Sequence, residues 1–378
     1  MKNTKLRHHF ERIFIRPILH TVFPKWCRSK VMKFRMKIKL FSFPIKYSFH
    51  KGNVEIGSRL CVFVSYQPRG ILPTTWKYLQ HLKENLGYSV VLLSNCQLQK
   101  KDIPALQSLC VEVIERDNIG YDFGAYKDGI LRYMEKLGSK FDELETLLIA
   151  NDSVIGPIYD MSPIHDQMQA EDCDFWGMND AYAHHNTAGN FATNIRDAVP
   201  YICSYFIIFK NNLIKTDIFK TFWKDMVYVS HKYYAIYYEK TLTQYFVNNK
   251  FQYSVYIKKE DVIEYLTNNP DCDYSLFTTP YLDFYIPRVW KKYEKYLRFH
   301  FGSTNETCPM LTLVHMGMPL MKRCLIERDI VNISIFKAIL NMYEKQLTGI
   351  ITNEEILDEM GLNPRTANSI FKWKKYII

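Results

Sequence analysis

The run Arg116-Asp117-Asn118-Ile119-Gly120-Tyr121-Asp122-Phe123-Gly124, with Lys127 shortly after it, is followed one expected helix later by Asn151-Asp152-Ser153. Each cluster comes after an apolar run, so two polar groups stand at the ends of two expected parallel strands. In an open α/β sheet, ligands bind in the crevice beyond the carboxyl ends of the strands, where side chains meet a ligand without entering the core. Carboxylates, amides, a hydroxyl and two cations at that place suit a phosphorylated or sugar-bearing substrate. The first cluster has neither the Gly-x-Gly-x-x-Gly spacing of a dinucleotide fold nor the Gly-Lys-Ser/Thr ending of a P-loop, which excludes both devices. Its glycines permit positive φ or close backbone approach; Asp122 is placed to cap the next helix, and Arg116, Asp117 and Asn118 are expected to point into the crevice. Taken alone, these residues fit a capped turn without a ligand equally well.

Asp152 reads two ways: as a carboxylate that meets sugar, phosphate or a divalent cation, and as a helix cap. Mg²⁺ takes one or two carboxylates together with substrate phosphates, so Asp152 serves as a possible single ligand, while Asn151 beside it weakens the case for a metal. Glu239 is expected at the N-terminus of a helix over Glu239–Asn249. There a carboxylate acts as general base on a hydroxyl, and there the helix macrodipole also favours an acid whatever the function. His184 and His185 lie in a long loop and are either contacts for an acceptor or solvated; with His231, His300 and His315 they show no metal-ligand spacing.

The elements that must hold these residues follow from pattern. Arg59–Ser65, Ser89–Ser94, Val111–Glu115 and Leu147–Ala150 are apolar runs bounded by turn residues, separated by helical stretches from Pro73 to about Asn85, over Ile103–Leu109 and from about Phe123 to Leu137. Strands alternating with helices at this spacing call for a mostly parallel sheet flanked by helices. The alternation stops after Asn151. Beyond it the pattern predicts a helix near Ile164–Ala170, strands over Asp174–Met178, Ser204–Phe209 and Tyr253–Ile257, a helix over Leu213–Tyr228, and a functional or disordered loop over His184–Asp197.

The net charge of +10 is local. Residues 1–51 hold five Arg and nine Lys against Glu11 alone, a balance of +13 that leaves the remainder at −3. Apolar residues interleave with those charges, as in an amphipathic helix followed by a basic strand or hairpin. That pattern suits an anionic membrane surface, or a helix packed on the protein's own flank. No recognition motif accompanies the charge, so nucleic acid is not expected as a partner. No apolar stretch is long enough to span a bilayer and no cleavable signal is present, which points to a cytoplasmic protein, peripheral on the membrane's inner face. The nine scattered cysteines read as reduced core thiols. Three parts are expected: a basic extension over 1–55, the α/β domain over 56–330 and a helical tail over 331–378.

Taken in order, the segments Asn118-x-Gly-Tyr-Asp-Phe-Gly-Ala-Tyr-Lys127, Leu148-Ile-Ala-Asn-Asp-Ser-Val-Ile-Gly-Pro157, Asp174-Phe-Trp-Gly177, Ser204-Tyr-Phe206 with Phe222-Trp223, and Tyr238-Glu-Lys-Thr-Leu-Thr-Gln244 resemble the rhamnan synthesis protein F family of bacterial polysaccharide glycosyltransferases. A weaker match runs over Gly317-Met-Pro-Leu-Met-Lys322, and the resemblance covers about Arg59 to Asp329. It implies a GT-A-like, Rossmann-type fold and transfer of a deoxyhexose, typically rhamnose from dTDP-L-rhamnose, to a cell-surface polysaccharide or lipid-linked glycan, with inversion. On both lines together the donor site comprises Arg116, Asp117, Asn118, Gly120, Tyr121, Asp122, Gly124, Lys127, Asn151, Asp152 and Ser153. Arg116 or Lys127 would meet the leaving group, Glu239 first and Asp122 second would be the base, and His184, His185 and Tyr205 would face the acceptor. Dependence on Mg²⁺ or Mn²⁺ at Asp152 stays open. The rival reading is a catalytically silent member of the fold that binds glycan or a partner in the same cleft.

Overall fold

Central strands of a sheet covered on both faces are buried along their whole length, and this sequence supplies such strands as unbroken Val, Leu, Ile and Phe runs. The computed structural model describes residues 45–184, 198–229, 232–269 and 309–327, with Ser303, Ile351, Thr352 and Glu355. In chain order its elements begin with β1 (Tyr47–Lys51), β2 (Arg59–Ser65), α1 (Pro73–Glu84), β3 (Ser89–Ser94), α2 (Ile103–Leu109), β4 (Cys110–Arg116) and α3 (Tyr121–Leu137). They continue with β5 (Thr146–Asn151), β6 (Val154–Ile155), α4 (Ser162–Ala170), β7 (Phe175–His184), β8 (Ala198–Ile202) and β9 (Phe206–Lys210). After these come α5 (Asn211–Ile214), α6 (Asp217–Asp225), α7 (Lys232–Asn248), β10 (Tyr253–Ile257), α8 (Lys259–Asn268), α9 (Pro309–His315), β11 (Met321–Lys322) and α10 (Cys324–Glu327).

The result is a mixed α/β sheet in the order β1-β4-β3-β2-β5-β9-β7-β10, with β8 paired to β7 and a separate ribbon of β6 and β11. β4, β3, β2 and β5 are parallel; β9 runs antiparallel between β5 and β7, and β10 is parallel to β7. Successive strand residues face opposite sides. Cys61 and Phe63 therefore pack with α1, α2 and α4 on one face, while Leu60, Val62 and Val64 pack with α3, α6 and α7 on the other. From β2 the chain first builds outward through β3 and β4, then crosses back to lay β5 on the other side of β2. The carboxyl ends of β2 and β5 thus flank the switch point where a ligand crevice forms.

Several expected boundaries shift for local reasons. The helix expected over Leu213–Tyr228 is two, because the Thr216 side chain accepts a hydrogen bond from the Phe219 N–H and starts a new helix. The strand expected at Asp174–Met178 continues to His184, opposite Ala198. The helix expected to begin at Glu239 begins at Lys232, which puts Glu239 about two turns inside it. Its carboxylate is therefore not held there by the first-turn amides. No helix among the described residues is long and apolar enough to cross a membrane. The described cysteines Cys61, Cys96, Cys110 and Cys173 are thiols outside any disulfide. The helix and hairpin expected in the first 44 residues, His185 with most of the His184–Asp197 loop, and most of the C-terminal tail lie outside the described residues.

Candidate active site

At the switch point, Asp152 reaches from the end of β5 to the end of β2. Its Oδ2 accepts hydrogen bonds from Ser65 Oγ at 2.9 Å and from the Tyr66 N–H at 2.8 Å. No helix follows it, so the cap reading of Asp152 is replaced by a bridge between two parallel strands. Burial pushes this carboxyl up from its ordinary range, against the opposing pull of the Tyr66 N–H, the Ser65 hydroxyl and the Arg323 charge. Tyr66, whose ring pattern alone did not mark, stands 54% exposed at the same edge.

Asn151 is buried and forms the hub of the cluster. Its Oδ1 accepts from the Ser153 N–H at 3.0 Å and from Ser153 Oγ at 2.6 Å, closing a side-chain turn. Its Nδ2 donates to Tyr126 Oη at 3.0 Å and approaches Asp122 Oδ2 at 3.5 Å. Tyr126 Oη in turn donates to the Ser204 carbonyl at 3.1 Å. The Ser204 N–H and Oγ both donate to Glu239 Oε1, at 3.1 and 2.9 Å. One polar chain therefore joins Asp122, Asn151, Tyr126, Ser204 and Glu239, which come from α3, β5, the turn before β9 and α7. Three sequence-selected residues, Asp122, Asn151 and Glu239, meet in it, and a fourth, Ser153, branches from Asn151.

The Asn118–Gly124 turn shapes this cluster more than it lines it. Gly120 has φ +79°, which favours glycine, and its N–H donates to the Val229 carbonyl at 2.8 Å. Gly120, not Asp122, is the residue that precedes the helix; Asp122 lies in the first turn, where an acid is favoured. Tyr121 also takes a positive φ of 54°. Asp117 and Asn118 are exposed, and Asp117 Oδ2 accepts from the Lys46 N–H at 3.1 Å, tying the turn to β1.

Two expected donor contacts are internal braces instead. Arg116 is 4% exposed and does not point into the crevice. Its guanidinium donates to Asp128 Oδ2 at 2.7 Å, to the Ile119 carbonyl at 2.7 Å and to Asn95 Oδ1. Lys127 donates to the Lys224 carbonyl at 2.8 Å and the Met226 carbonyl at 2.5 Å, and desolvation lowers its pKa. Apart from the Ile119 carbonyl, the partners of both cations lie twelve or more residues away along the chain, beyond the reach of a local pattern. On the acceptor side, Tyr205 is buried with its hydroxyl donating to Asn179 Oδ1. Of His184 only the strand position is described, and His185 is outside the described residues.

Four further residues that spacing did not select stand at the site. Asn179 and Asp180 come from the extended β7, and Lys322 with Arg323 returns on β11 and just after it. β11 pairs antiparallel with β6, Lys322 opposite Val154. Asp180 is 4% exposed, with its Oδ1 accepting from the Lys259 N–H at the start of α8, 3.1 Å away. Burial, then the Glu260 charge, raises its pKa from 3.8 to about 7. A carboxyl whose folded pKa is raised keeps its proton in the native state, so its ionisation costs stability progressively as pH rises from about 4 to about 7. Asp180→Asn retains the acceptor for Lys259. The expected result is a urea midpoint near wild type at pH 4 and increasingly above it toward pH 7, levelling beyond; a pH-independent difference would refute this.

Among the described residues no three His, Cys, Asp or Glu side chains converge on a point. The Asp152 oxygen at the crevice already accepts two hydrogen bonds. A Mg²⁺ or Mn²⁺ ion here would therefore draw on Asp152 together with substrate phosphates rather than on a protein cage.

Comparison with known proteins places these features. An uncharacterized protein, y4gN, of Sinorhizobium fredii is 29% identical over 237 residues, 62% of this chain and 57% of that protein. Virulence protein VirA of Vibrio anguillarum is 32% identical over 102 residues, 27% of this chain and 31% of that protein. The chain thus spans about half or less of the length of these relatives. The mannosyltransferase Ktr4p from S. cerevisiae shares 12% identity with a TM-score of 0.23, over 54% of this chain and 70% of that one, too slight a likeness to carry an argument. Rhamnan synthesis protein F matches residues 90–281, just over half of the chain and the stretch that holds the whole Asp122–Glu239 network. The chain belongs to the rhamnan synthesis protein F family.

Proposed function

We propose that this chain is a glycosyltransferase that moves a hexose or deoxyhexose, rhamnose by family, from a nucleotide sugar to a glycan or lipid-linked saccharide. The observation that carries the reading is the polar chain from Asp122 through Asn151, Tyr126 and Ser204 to Glu239, set beside the β2–β5 switch point. The GT-A reading of the fold draws support from the parallel β4-β3-β2-β5 core continued by one antiparallel strand.

In this reading the donor lies across the ends of β2 and β5. Ser153 and the Asn151 turn face its sugar and diphosphate, and the exposed ring of Tyr66 offers a stacking face. Glu239 accepts the proton of the acceptor hydroxyl as that oxygen attacks the anomeric carbon. The bond from that carbon to the diphosphate breaks in the same displacement, its electron pair leaves with the nucleoside diphosphate, and the anomeric centre inverts. Asp122, at the opposite end of the same polar chain and beside Asn151, is the second candidate for the proton. The +13 balance of residues 1–51 supports attachment to an anionic inner membrane surface.

A panel of dTDP-, UDP- and GDP-sugars, each with and without Mg²⁺ or Mn²⁺, tests the reading by heat stabilisation. A donor at about 100 times its dissociation constant adds roughly 2.7 kcal/mol to stability. One nucleotide class should raise the unfolding temperature while the others do not; no shift with any donor would count against the reading.

A further inference from the structure

Breaking a glycosyl–diphosphate bond delivers negative charge to the departing oxygen, and a positioned cation lowers the barrier by stabilising that charge. Arg116 and Lys127 are committed elsewhere in the fold. β11 brings another cation to the crevice. Pairing Lys322 with Val154 sets it two residues beyond Asp152, across the β6–β11 ribbon. Its Nζ stands 4.8 Å from the centre of the Tyr205 ring, and the side chain is half-buried. That ring is a fixed platform: its hydroxyl donates to Asn179, and the Tyr205 carbonyl accepts from the Asn151 N–H at 3.3 Å.

Arg323 secures the strand that carries this lysine. Its N–H donates to the Ser153 carbonyl at 2.9 Å, and its buried guanidinium donates to the Asp152 carbonyl at 3.2 Å, the Val154 carbonyl at 3.3 Å and Thr74 Oγ1 at 3.0 Å. Adjacent strand residues point to opposite sides, so the same segment that anchors Arg323 inward presents Lys322 the other way. Arg323 thereby locks the spacing between the Lys322 strand and the Asn151-Asp152-Ser153 turn. Both residues lie beyond residue 281, where the family match ends.

We infer that Lys322 binds the diphosphate of the substrate and compensates the charge on the leaving group. The inference rests on the transferase reading above. A diphosphate reaches such a site from a nucleotide sugar or from a lipid-linked saccharide, and the probes separate the two.

Titration calorimetry of dTDP, UDP, GDP and farnesyl diphosphate, with thymidine, uridine and guanosine as uncharged controls, tests it on the full chain. Wild type, Lys322→Ala and Lys322→Arg are compared, and thermal unfolding checks that each variant folds. A charge-assisted contact of this kind predicts that Lys322→Ala binds the preferred diphosphate at least about tenfold more weakly. Lys322→Arg should recover most of that loss, and nucleoside binding should not change in either variant. Equal binding of the diphosphate by wild type and a folded Lys322→Ala overturns the inference and leaves the transferase reading standing. Farnesyl diphosphate as the preferred ligand, weakened by the same variant, keeps Lys322 as the diphosphate cation and assigns the ligand to a lipid. A wild-type protein that binds none of the four diphosphates overturns the inference and the transferase reading together.

Discussion

Glu239→Gln is expected to lower turnover by about 10²–10⁴-fold, the range lost when a general base is removed, while donor affinity stays within about threefold of wild type. Glutamine is nearly isosteric, and its Oε1 keeps the two hydrogen bonds that Ser204 donates at 3.1 and 2.9 Å. The Ser204–Tyr126–Asn151 chain therefore remains intact, and the change removes only the capacity to take a proton. A structural role alone would make Gln harmless to rate. Donor affinity measured beside the single-turnover rate separates these cases, and a fully active Glu239→Gln enzyme would remove the assignment, leaving Asp122 as the next residue to replace.

The second large effect concerns shape. A Cβ added at Gly124 would stand 2.4 Å from the Ile119 carbonyl oxygen, so the backbone of the Asn118–Gly124 turn has to move. Overpacking of this kind costs about 1–3 kcal/mol, and here the displaced atoms carry Asp122 into place beside Asn151. Gly124→Ala is expected to lower the unfolding temperature by on the order of 5 °C and to weaken nucleotide-sugar binding at the same time. Gly87→Ala is the matched control. Its φ is +69° with nothing within 4 Å of the added atom, so it bears only conformational cost, roughly 1 kcal/mol, and should leave binding unchanged. Calorimetry and donor titration on the pair decide between a turn that shapes the site and one that merely connects β4 to α3.

The parts of the fold that pattern reveals are those made of local signals. Arg59–Ser65 and Ser89–Ser94 are β-branched runs between turn residues, and both occur as strands with those ends. The antiparallel direction of β9 was not legible, because a strand buried on both faces reads the same whichever way its neighbours run. The start of α7 carries no local signal: Lys232–Tyr238 is rich in tyrosine, so the first acid, Glu239, reads as the first turn. Thr216, by contrast, is an ordinary cap whose signal was in the sequence and was overrun by the apolar period around it.

The site divides along the same line. Asn151, Ser153, Asp122 and Glu239 could be selected because strand ends and turns concentrate polar residues, and the fold joins them. Arg116 and Lys127 carry the right charge at the right spacing, yet the Asp128 carboxylate takes up the first and the distant Lys224 and Met226 carbonyls take up the second. Lys322 and Arg323 could not be placed from spacing, since only the pairing of β11 with β6 brings them to the end of β5. Such long-range pairing is set by tertiary packing.

Release of nucleoside diphosphate from sugar nucleotides by the wild-type chain tests the central claim most directly. With the donor class chosen by heat stabilisation and a saccharide or lipid-linked acceptor present, the account predicts multiple turnovers of release that depend on Glu239. A protein that binds one of these donors tightly yet releases no nucleoside diphosphate from it, with or without acceptor, would contradict the account and leave a silent binding scaffold in its place.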